Sequence, residues 1–251
     1  MELTVLFGDP HVPYYHRGAW RALLACLKEI KPQRVVIVGD FLDLAALSRF
    51  IPDPRRLINI QDEINEGRKL LDELRQAVGN KCEIVMLEGN HDFRPQKFLI
   101  RNAPQLLYLT DDGEYLLSVP HLLELKKRKI TWIPYDQFYV LHGFNIEHGF
   151  AASKHAGYTA KNTVNTRIES SIIGHTHRFG SSCVTGLFRS LQGYEIGCLM
   201  DRNSDGAAYA KFPNWQMGWA VGEYDKKEDL FQVTPILIQN GKFIYQGKVW
   251  K

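Results

Sequence analysis

The sequence predicts an α/β fold with two β-sheets. In the first half of the chain, short apolar strands alternate with segments whose apolar residues recur at helical spacing. This alternation is typical of βαβ units and of a parallel sheet that is covered on both faces. After Ile130 the segments become shorter and richer in β-forming residues. No repeat or low-complexity linker divides the 251 residues, so we expect residues 1–251 to form a single domain.

The first half supplies the clearest elements. Apolar runs predict strands at 2–7, 34–38 and 83–87, and helical periodicity predicts helices at about 17–30 and 60–78. Strands and helices therefore follow one another in strict alternation, as a parallel sheet requires.

The second half is predicted to be mainly β-structure. Its expected elements are a hairpin with strands at 138–141 and 144–147, a short helix near 152–163 and a strand at 171–173. Near the C-terminus, Asn240-Gly241 separates two β-like runs at 237–239 and 242–245. An Asn-Gly pair between such runs predicts a second hairpin with a type I′ turn.

Composition and charge limit the class of protein. Hydrophobic residues make up 45% and charged residues 24% of the chain, which is ordinary for a soluble globular protein. The net charge of +3 permits an anionic substrate without requiring one, and it does not by itself indicate nucleic-acid binding. The 4 cysteines show no CxxC spacing, and no apolar run approaches the length that spans a bilayer. We therefore expect a cytoplasmic protein with free thiols, no membrane contact and no obligate protein partner.

Polar motifs follow the predicted strands at the points where the strands end. The motifs are GDPH (8–11), GDFLD (39–43), EGNHD (88–92), EHG (147–149) and GHTH (174–177). In open α/β sheets the loops after the carboxyl ends of the strands converge on one crevice. The residues that this crevice is expected to collect are Asp9, His11, Asp40, Asn90, His91, His148, His175 and His177.

These residue types indicate a metal site. Carboxylate, amide oxygen and imidazole without thiolate suit Mn²⁺, Fe, Zn²⁺ or Mg²⁺. The set is too large for one ion and suits two, and two ions about 3.5–4 Å apart need a bridging carboxylate. Asp40 is the candidate bridge, because it follows the middle strand of the first half. Such a pair of ions can lower the pKa of a shared water and turn it into a hydroxide nucleophile.

Read in order across residues 8–177, the motif series resembles the calcineurin-like metallophosphoesterase family. The segments YEIGCLMD (194–201) and NWQMGWAV (214–221) are similar to the branch of that family often encoded by bacteriophages and bacteria. The resemblance implies a four-layer α/β/β/α sandwich of two mixed sheets with a dinuclear metal centre. It also implies hydrolysis of phosphodiester or phosphomonoester bonds, with nucleotides, DNA or RNA among the candidate substrates. Mn²⁺ is the first choice of metal, with Fe, Zn, Ni and Mg as alternatives.

The resemblance also assigns roles to the motif residues. One metal would be held by Asp9, His11, Asp40 and His177, and the other by Asp40, Asn90, His148 and His175. His91 would stay off the metals and act as the general acid that protonates the leaving-group oxygen.

Some assignments stay open at the level of sequence. His142 and His148 both precede glycine, and we favour His148 as the ligand because it ends a strand and precedes a helix, as the other ligand loops do. Arg94 and Arg178 follow two of the motifs, and each either pairs with the substrate phosphate or makes a structural ion pair. His16, His121 and His155 belong to no motif and are expected to be solvated or packing residues. The basic run 126–129 is expected to be a solvated loop.

Two further features bear on the substrate. Serine/threonine phosphatases of the same superfamily carry a phosphate-clamping arginine in their second motif. This chain has Leu44-Ala45 there, which favours a phosphodiester or small phosphomonoester substrate over a phosphoprotein. The aromatic residues Tyr209, Phe212, Trp215 and Trp219 either stack on bases or belong to the core.

The competing hypothesis is a non-catalytic scaffold that uses the same fold to bind proteins. Scaffolds of that kind usually lose ligands or the acid, and this chain keeps both.

Overall fold

The computed structural model describes residues 1–50, 53–54 and 58–251. Within these residues the α-helices are α1 (Arg17–Ile30), α2 (Ile60–Val78), α3 (Arg94–Asn102), α4 (Val119–Leu122) and α5 (Tyr158–Arg167). The first strands are β1 (Glu2–Phe7), β2 (Arg34–Ile37), β3 (Glu83–Leu87), β4 (Thr110–Asp111), β5 (Glu114–Tyr115), β6 (Ile130–Ile133), β7 (Tyr139–Leu141) and β8 (Phe144–Glu147). They are followed by β9 (Ser170–Ile173), β10 (Phe179–Thr185), β11 (Ser190–Ile196), β12 (Met217–Asp225), β13 (Leu230–Ile238), β14 (Phe243–Tyr245) and β15 (Lys248–Trp250).

The larger sheet has six strands in the order β13-β12-β1-β2-β3-β6. In this sheet β1, β2, β3 and β6 pair in parallel, and β12 and β13 extend it with antiparallel pairs. Helices α1 and α2 pack on one face of this sheet, because each carries a buried apolar stripe. The two stripes lie in the same core cluster as the strand residue Val35, and they include Trp20, Leu23, Leu70 and Leu74.

The smaller sheet has five strands in the order β10-β11-β9-β8-β7. Apolar side chains of both sheets form a second core between them, including Leu6 and Val36 of the larger sheet and Ile146 and Ile172 of the smaller one. Burial of each such side chain contributes about 1.5–3 kcal/mol. Helix α5 contacts the smaller sheet at β9, β10 and β11. The layers are therefore α/β/β/α, and the predicted sandwich of two mixed sheets is confirmed.

Two local predictions in the second half are wrong in part. The helix expected near 152–163 begins later, at Tyr158, because Gly157 before it has φ +80 and donates its N–H to the buried Glu195 carboxylate. The type I′ turn at Asn240-Gly241 is confirmed, since both residues have positive φ.

Gln239 and Lys242 pair directly across this turn, each donating its backbone N–H to the carbonyl oxygen of the other, and the flanking strands then take other partners. Leu237 continues β13 and pairs with Gly218 of β12. Strand β14 instead folds back through a second turn and pairs with β15.

Among the described residues, no helix combines the length and the apolar character that a membrane-spanning helix would need.

Candidate metal centre

The predicted ligands come together at the carboxyl ends of the parallel strands. Loops after β1, β2, β3, β8 and β9 meet there and bring the acidic and imidazole side chains of the motifs into one cluster. Asp9, His11, Asp40, His148 and His177 are buried. A buried charged side chain needs a partner of opposite charge or a metal ion, because desolvation of a charged group is otherwise costly.

The first group of potential ligands lies between the loops after β1 and β9. His177 Nε2 is 2.9 Å from His11 Nε2 and 3.3 Å from Asp9 Oδ1. His11 Nε2 is also 3.6 Å from Asp40 Oδ2. These nitrogen and oxygen atoms therefore converge on one point.

The second group lies on the other side of Asp40. His148 Nε2 is 3.3 Å from Asp40 Oδ1 and 3.3 Å from Asn90 Oδ1. His175 belongs to this group, since its ligand atom lies within 4.8 Å of those of Asp40 and His148. The two oxygens of Asp40 thus face different groups, Oδ2 toward His11 and Oδ1 toward His148.

The spacing and the donor atoms fit divalent ions. Ligand atoms bound at about 2.1 Å to one ion lie about 3.0–3.5 Å apart for octahedral or tetrahedral geometry. The distances from His177 to Asp9 and from His148 to Asp40, both 3.3 Å, fall in that range. Oxygen and imidazole donors without thiolate match Mn²⁺, Fe, Zn²⁺ or Mg²⁺.

Outer hydrogen bonds aim the imidazoles at the centre of the cluster. His11 Nδ1 lies 3.3 Å from Asp43 Oδ1, and His148 Nδ1 lies 2.9 Å from the Val38 carbonyl oxygen. Both rings therefore turn Nε2 inward. Such outer partners fix the tautomer and orientation of metal-binding histidines.

The electrostatics of the cluster favour cations. Burial alone would lower the pKa of His148, but Asp40 raises it to about 10. The pKa of Asp40 lies well below its ordinary range, since nearby imidazoles, above all His148, outweigh the effect of its burial. Burial together with neighbouring imidazoles lowers the pKa of His11 and of His175 to about 4, so both rings are neutral and have a free lone pair near neutral pH. A divalent ion would displace the extra proton of His148 and would supply the positive charge that balances the Asp40 carboxylate.

The backbone of the ligand loops is strained. Asp9, His11, Asp40, His175 and His177 all have φ between 47° and 64°, a left-handed conformation that costs about 1–2 kcal/mol per non-glycine residue. Strain of this kind concentrates at functional sites, where the surrounding structure holds it in place.

A glycine permits the closest approach between two of these loops. A Cβ at Gly89 would lie 2.1 Å from the Asp40 backbone nitrogen, so only glycine fits beside the central carboxylate. The buried Asp92 carboxylate joins the same loops by accepting from the N–H groups of Gly89, Phe41 and Leu42.

His91 lies at the edge of the cluster, with its side chain 12% exposed. Its Nδ1 is 3.1 Å from Asp43 Oδ1 and 3.0 Å from the Asp43 carbonyl oxygen, and its Nε2 is 3.0 Å from Arg94 Nη2. A guanidinium group can only donate, so Nε2 accepts and the proton of the neutral ring resides on Nδ1. Arg94 also donates through Nη1 to the Asp43 carbonyl oxygen, at 2.5 Å.

Asp43 is a further candidate site residue that the sequence analysis did not assign. Its carboxylate contacts the rings of both His11 and His91, and these hydrogen bonds hold its pKa below the ordinary range although burial would raise it. The signal was present in the motif GDFLD, whose second aspartate lies three residues after the candidate bridge Asp40.

The two histidines that precede glycine lie at opposite ends of the sheets. His148 lies in the cluster, whereas His142 occupies the β7–β8 turn, 4.0 Å from the carboxylate of Glu2 at the start of β1. The His142 ring stacks on Tyr224, with centroids 3.5 Å apart. Its position therefore indicates a packing role.

The remaining candidates have separate surroundings. Arg178 follows His177, and its Nε and Nη1 are buried without a hydrogen-bond partner among the described residues. His16 caps α1 by accepting from the Ala19 N–H, and His121 lies 3.7 Å from Glu114. Within the basic run, Arg128 forms an ion pair with Asp72.

The aromatic candidates divide into two groups. Trp219 is buried in the core, where it contacts Phe243. Trp215 instead lies beside the cluster, with its ring centroid 4.5 Å from that of His177.

Comparisons with known proteins identify the family of the chain. Residues 3–179 match the family described as Calcineurin-like phosphoesterase. The Gene 54 protein of Mycobacterium phage L5 is 29% identical over 263 residues, and that of phage D29 is 28% identical over 261, with 98% of each chain covered in both cases. Among solved structures, wild-type Vps29 of Entamoeba histolytica complexed with zinc has 12% identity and a TM-score of 0.48, covering 98% of this chain and 95% of that one.

The family match includes the strand ends after β1, β2, β3, β8 and β9, and with them every cluster residue described above. On this match, which spans well over half of its length, the chain belongs to the calcineurin-like phosphoesterase family.

Proposed function

We propose that this protein is a two-metal phosphoesterase that hydrolyses phosphodiesters or small phosphomonoesters, with nucleotides and nucleic acid among its candidate substrates. The observation that carries the proposal is the position of the Asp40 carboxylate, whose oxygens face His11 on one side and His148 on the other. One carboxylate between two sets of donors is the arrangement that a pair of ions requires.

In this proposal one ion is held by Asp9, His11, Asp40 and His177, and the other by Asp40, Asn90, His148 and His175. When bound, two divalent ions neutralise phosphate charge and make a water acidic enough to act as a nucleophile. Mn²⁺ is the metal that we expect to support activity, since the oxygen and imidazole donors suit it. The free thiols of Cys26, Cys82, Cys183 and Cys198 support a cytoplasmic site of action.

His91 is proposed to give a proton to the leaving-group oxygen. Its ring is oriented by Asp43 and lies at the rim of the cluster, where an ester oxygen can reach Nε2. Arg94 covers Nε2 in the present arrangement. A substrate phosphate would draw the Arg94 guanidinium away by forming charge-assisted hydrogen bonds. Nε2 would then take up a proton from solvent and give it to the leaving-group oxygen, which returns the ring to its neutral form with the proton on Nδ1.

Arg178 is the second candidate for phosphate contact. Two of its guanidinium nitrogens are buried and lack a protein partner among the described residues, and the residue adjoins the ligand His177. A phosphate oxygen would satisfy such donors at little cost, because they are already desolvated.

The scaffold hypothesis predicts that the metal ligands are dispensable. The chain keeps every donor of the two proposed sets together with the His91 imidazole, which a protein-binding surface would not need. The test is a reconstitution with Mn²⁺ followed by assays of metal content and of bis-p-nitrophenyl phosphate hydrolysis. We expect close to two ions per chain, and we expect Asp40→Asn to lose most of both ions and nearly all activity.

The matched control is Asp62→Asn, which changes an exposed aspartate on α2 and should leave both measurements unchanged. Full metal content and full activity in Asp40→Asn would overturn the proposal, as would a wild-type protein that binds metal but hydrolyses no phosphoester.

A further inference from the structure

An aromatic loop borders the metal centre. We define it as residues 201–216, which lead into β12 and carry Tyr209, Phe212 and Trp215. The Trp215 ring lies 4.5 Å from the ring of the proposed ligand His177, with an interplanar angle of 57°. Tyr209 lies next in line, with its ring centroid 6.0 Å from that of Trp215. Aromatic surface thus begins directly beside the first proposed ion.

Packing fixes Trp215 in this position. The indole packs against a small buried cluster that includes Tyr14, Met200 and Ala207. The neighbouring Gln216 donates its backbone N–H to the carbonyl oxygen of His177, at 2.8 Å. These contacts fix the Trp215 ring relative to the proposed ligand His177, so the ring can serve as a platform beside the metal centre.

The outer part of the loop exposes its rings to solvent. Phe212 is fully exposed, at 101% of its reference area, and Tyr209 is 59% exposed. Phe212 also has φ +49, a left-handed conformation that is unfavourable for a residue with a bulky side chain. The exposed Lys211 lies between the two aromatic residues in sequence. An exposed ring on a strained backbone, in the same loop as a tryptophan that contacts a proposed metal ligand, is the combination expected of a ligand contact.

We propose that the aromatic loop binds the nucleobase of a nucleotide whose phosphate lies at the metal centre, so that the substrate class is a nucleotide phosphodiester. This inference rests on the proposed function. Stacking suits a nucleobase because every base has a planar π-face, and it needs no particular base sequence. In a nucleotide the base lies one sugar away from the phosphate, which matches a platform that begins at a metal ligand. Lys211 supplies positive charge for a neighbouring phosphate.

The inference is tested with two diesters that share a leaving group. Thymidine 5′-p-nitrophenyl phosphate carries a base, and ethyl p-nitrophenyl phosphate does not. With Mn²⁺-loaded protein we expect kcat/KM to be higher for the thymidine ester. Trp215→Leu should reduce this preference by about 5- to 150-fold, the effect of removing one base–aromatic stack, and Trp215→Phe should reduce it less.

Further variants separate stacking from damage to the metal centre. Tyr209→Leu and Phe212→Leu replace the two exposed rings of the loop, and each should lower the same preference while the protein keeps both ions. The matched control is Phe188→Leu, which removes a 94% exposed ring from the β10–β11 turn and should leave the preference unchanged. A preference that survives in the Trp215, Tyr209 and Phe212 variants would overturn the inference.

A binding measurement distinguishes failure of this inference from failure of the proposed function. Calorimetry compares the affinities of thymidine 5′-monophosphate and inorganic phosphate for Mn²⁺-loaded protein. Tighter binding of the nucleotide that is lost in Trp215→Leu supports the inference even if no ester is hydrolysed. Equal affinities together with equal kcat/KM values would overturn it, while hydrolysis of both esters would still uphold the proposed function.

Discussion

Replacement of Asp43 by asparagine should weaken both the metal centre and the proposed proton donor. Its carboxylate oxygen lies 3.3 Å from His11 Nδ1 and 3.1 Å from His91 Nδ1, and the side chain is buried. Asparagine keeps the shape and removes the charge. A hydrogen bond to a charged group contributes about 1.5–3 kcal/mol and a neutral one about 0.5–1.5. Each imidazole should therefore lose about 1–1.5 kcal/mol of stabilisation, or about 5- to 12-fold.

The two losses are separated by a Mn²⁺ titration of the Asp43→Asn variant. We expect the loss at His11 to weaken metal binding by about tenfold, near the lower end of the effect of removing an outer partner of a metal-binding histidine. At saturating Mn²⁺ this part should recover. The loss at His91 should remain as a reduction of about tenfold in kcat for nucleotide esters.

The matched control is Asp92→Asn. Asp92 is a neighbouring buried aspartate whose carboxylate accepts from backbone N–H groups and contacts neither ring. This variant should lower Tm without changing the ratio of kcat for alkyl and p-nitrophenyl esters. If Asp43→Asn binds Mn²⁺ as tightly as the wild type and matches its kcat on nucleotide esters, Asp43 does not orient the two imidazoles.

Three further predictions follow from the positions of single side chains. In metal analysis His148→Ala should lose one ion and the activity, whereas His142→Ala should keep both ions and the activity. In denaturation His142→Ala should lose about 0.5–1.5 kcal/mol of stability with its stacked ring, and the reverse pattern would exchange the roles of the two histidines. His91→Ala should slow nucleotide esters by about 10²–10⁴-fold and p-nitrophenyl esters far less at unchanged metal content; equal losses would remove it as the acid. Burial raises the pKa of Glu63 to about 8, so the folded protein retains a proton that the unfolded chain releases near pH 4.3. The free energy of unfolding should therefore fall by up to about 1.4 kcal/mol per pH unit as the pH rises between these two values. In denaturation experiments with EDTA, the free energy of unfolding should fall less steeply with pH in Glu63→Gln than in the wild type. Parallel curves for the two proteins would contradict this.

The strand-end positions of the motifs were predictable because they are local features. A short apolar run followed by glycine and a polar ligand identifies both the strand and its carboxyl end, and the topology of parallel sheets then brings such ends together. Asp9, Asp40 and His177 could therefore be located before any distance was known. The strain in their backbones was not predictable, because it arises from how the loops pack on one another.

Other features depend on contacts between distant segments. Asp43 acquires its role only where imidazoles from two different loops meet, and Arg94 is identified as a partner of His91 only by their 3.0 Å contact. The C-terminal strands show the same limit. The Asn240-Gly241 turn is encoded locally, but Leu237 pairs with Gly218 of β12 rather than with the run that follows the turn.

No helix or strand was predicted between β3 and β6. This region contains the short helices α3 and α4 and the two-residue strands β4 and β5. Elements this short carry too few apolar positions for a period to be read from the sequence.

Anomalous diffraction from crystals soaked in Mn²⁺ tests the central claim most directly, since it locates each ion independently of activity. The account predicts two anomalous peaks about 3.5–4 Å apart, with the Asp40 carboxylate bonded to both. His11 and His177 should bind one ion, and Asn90 and His148 the other. A single peak, or two peaks without Asp40 between them, would contradict the claim that this carboxylate bridges a pair of ions.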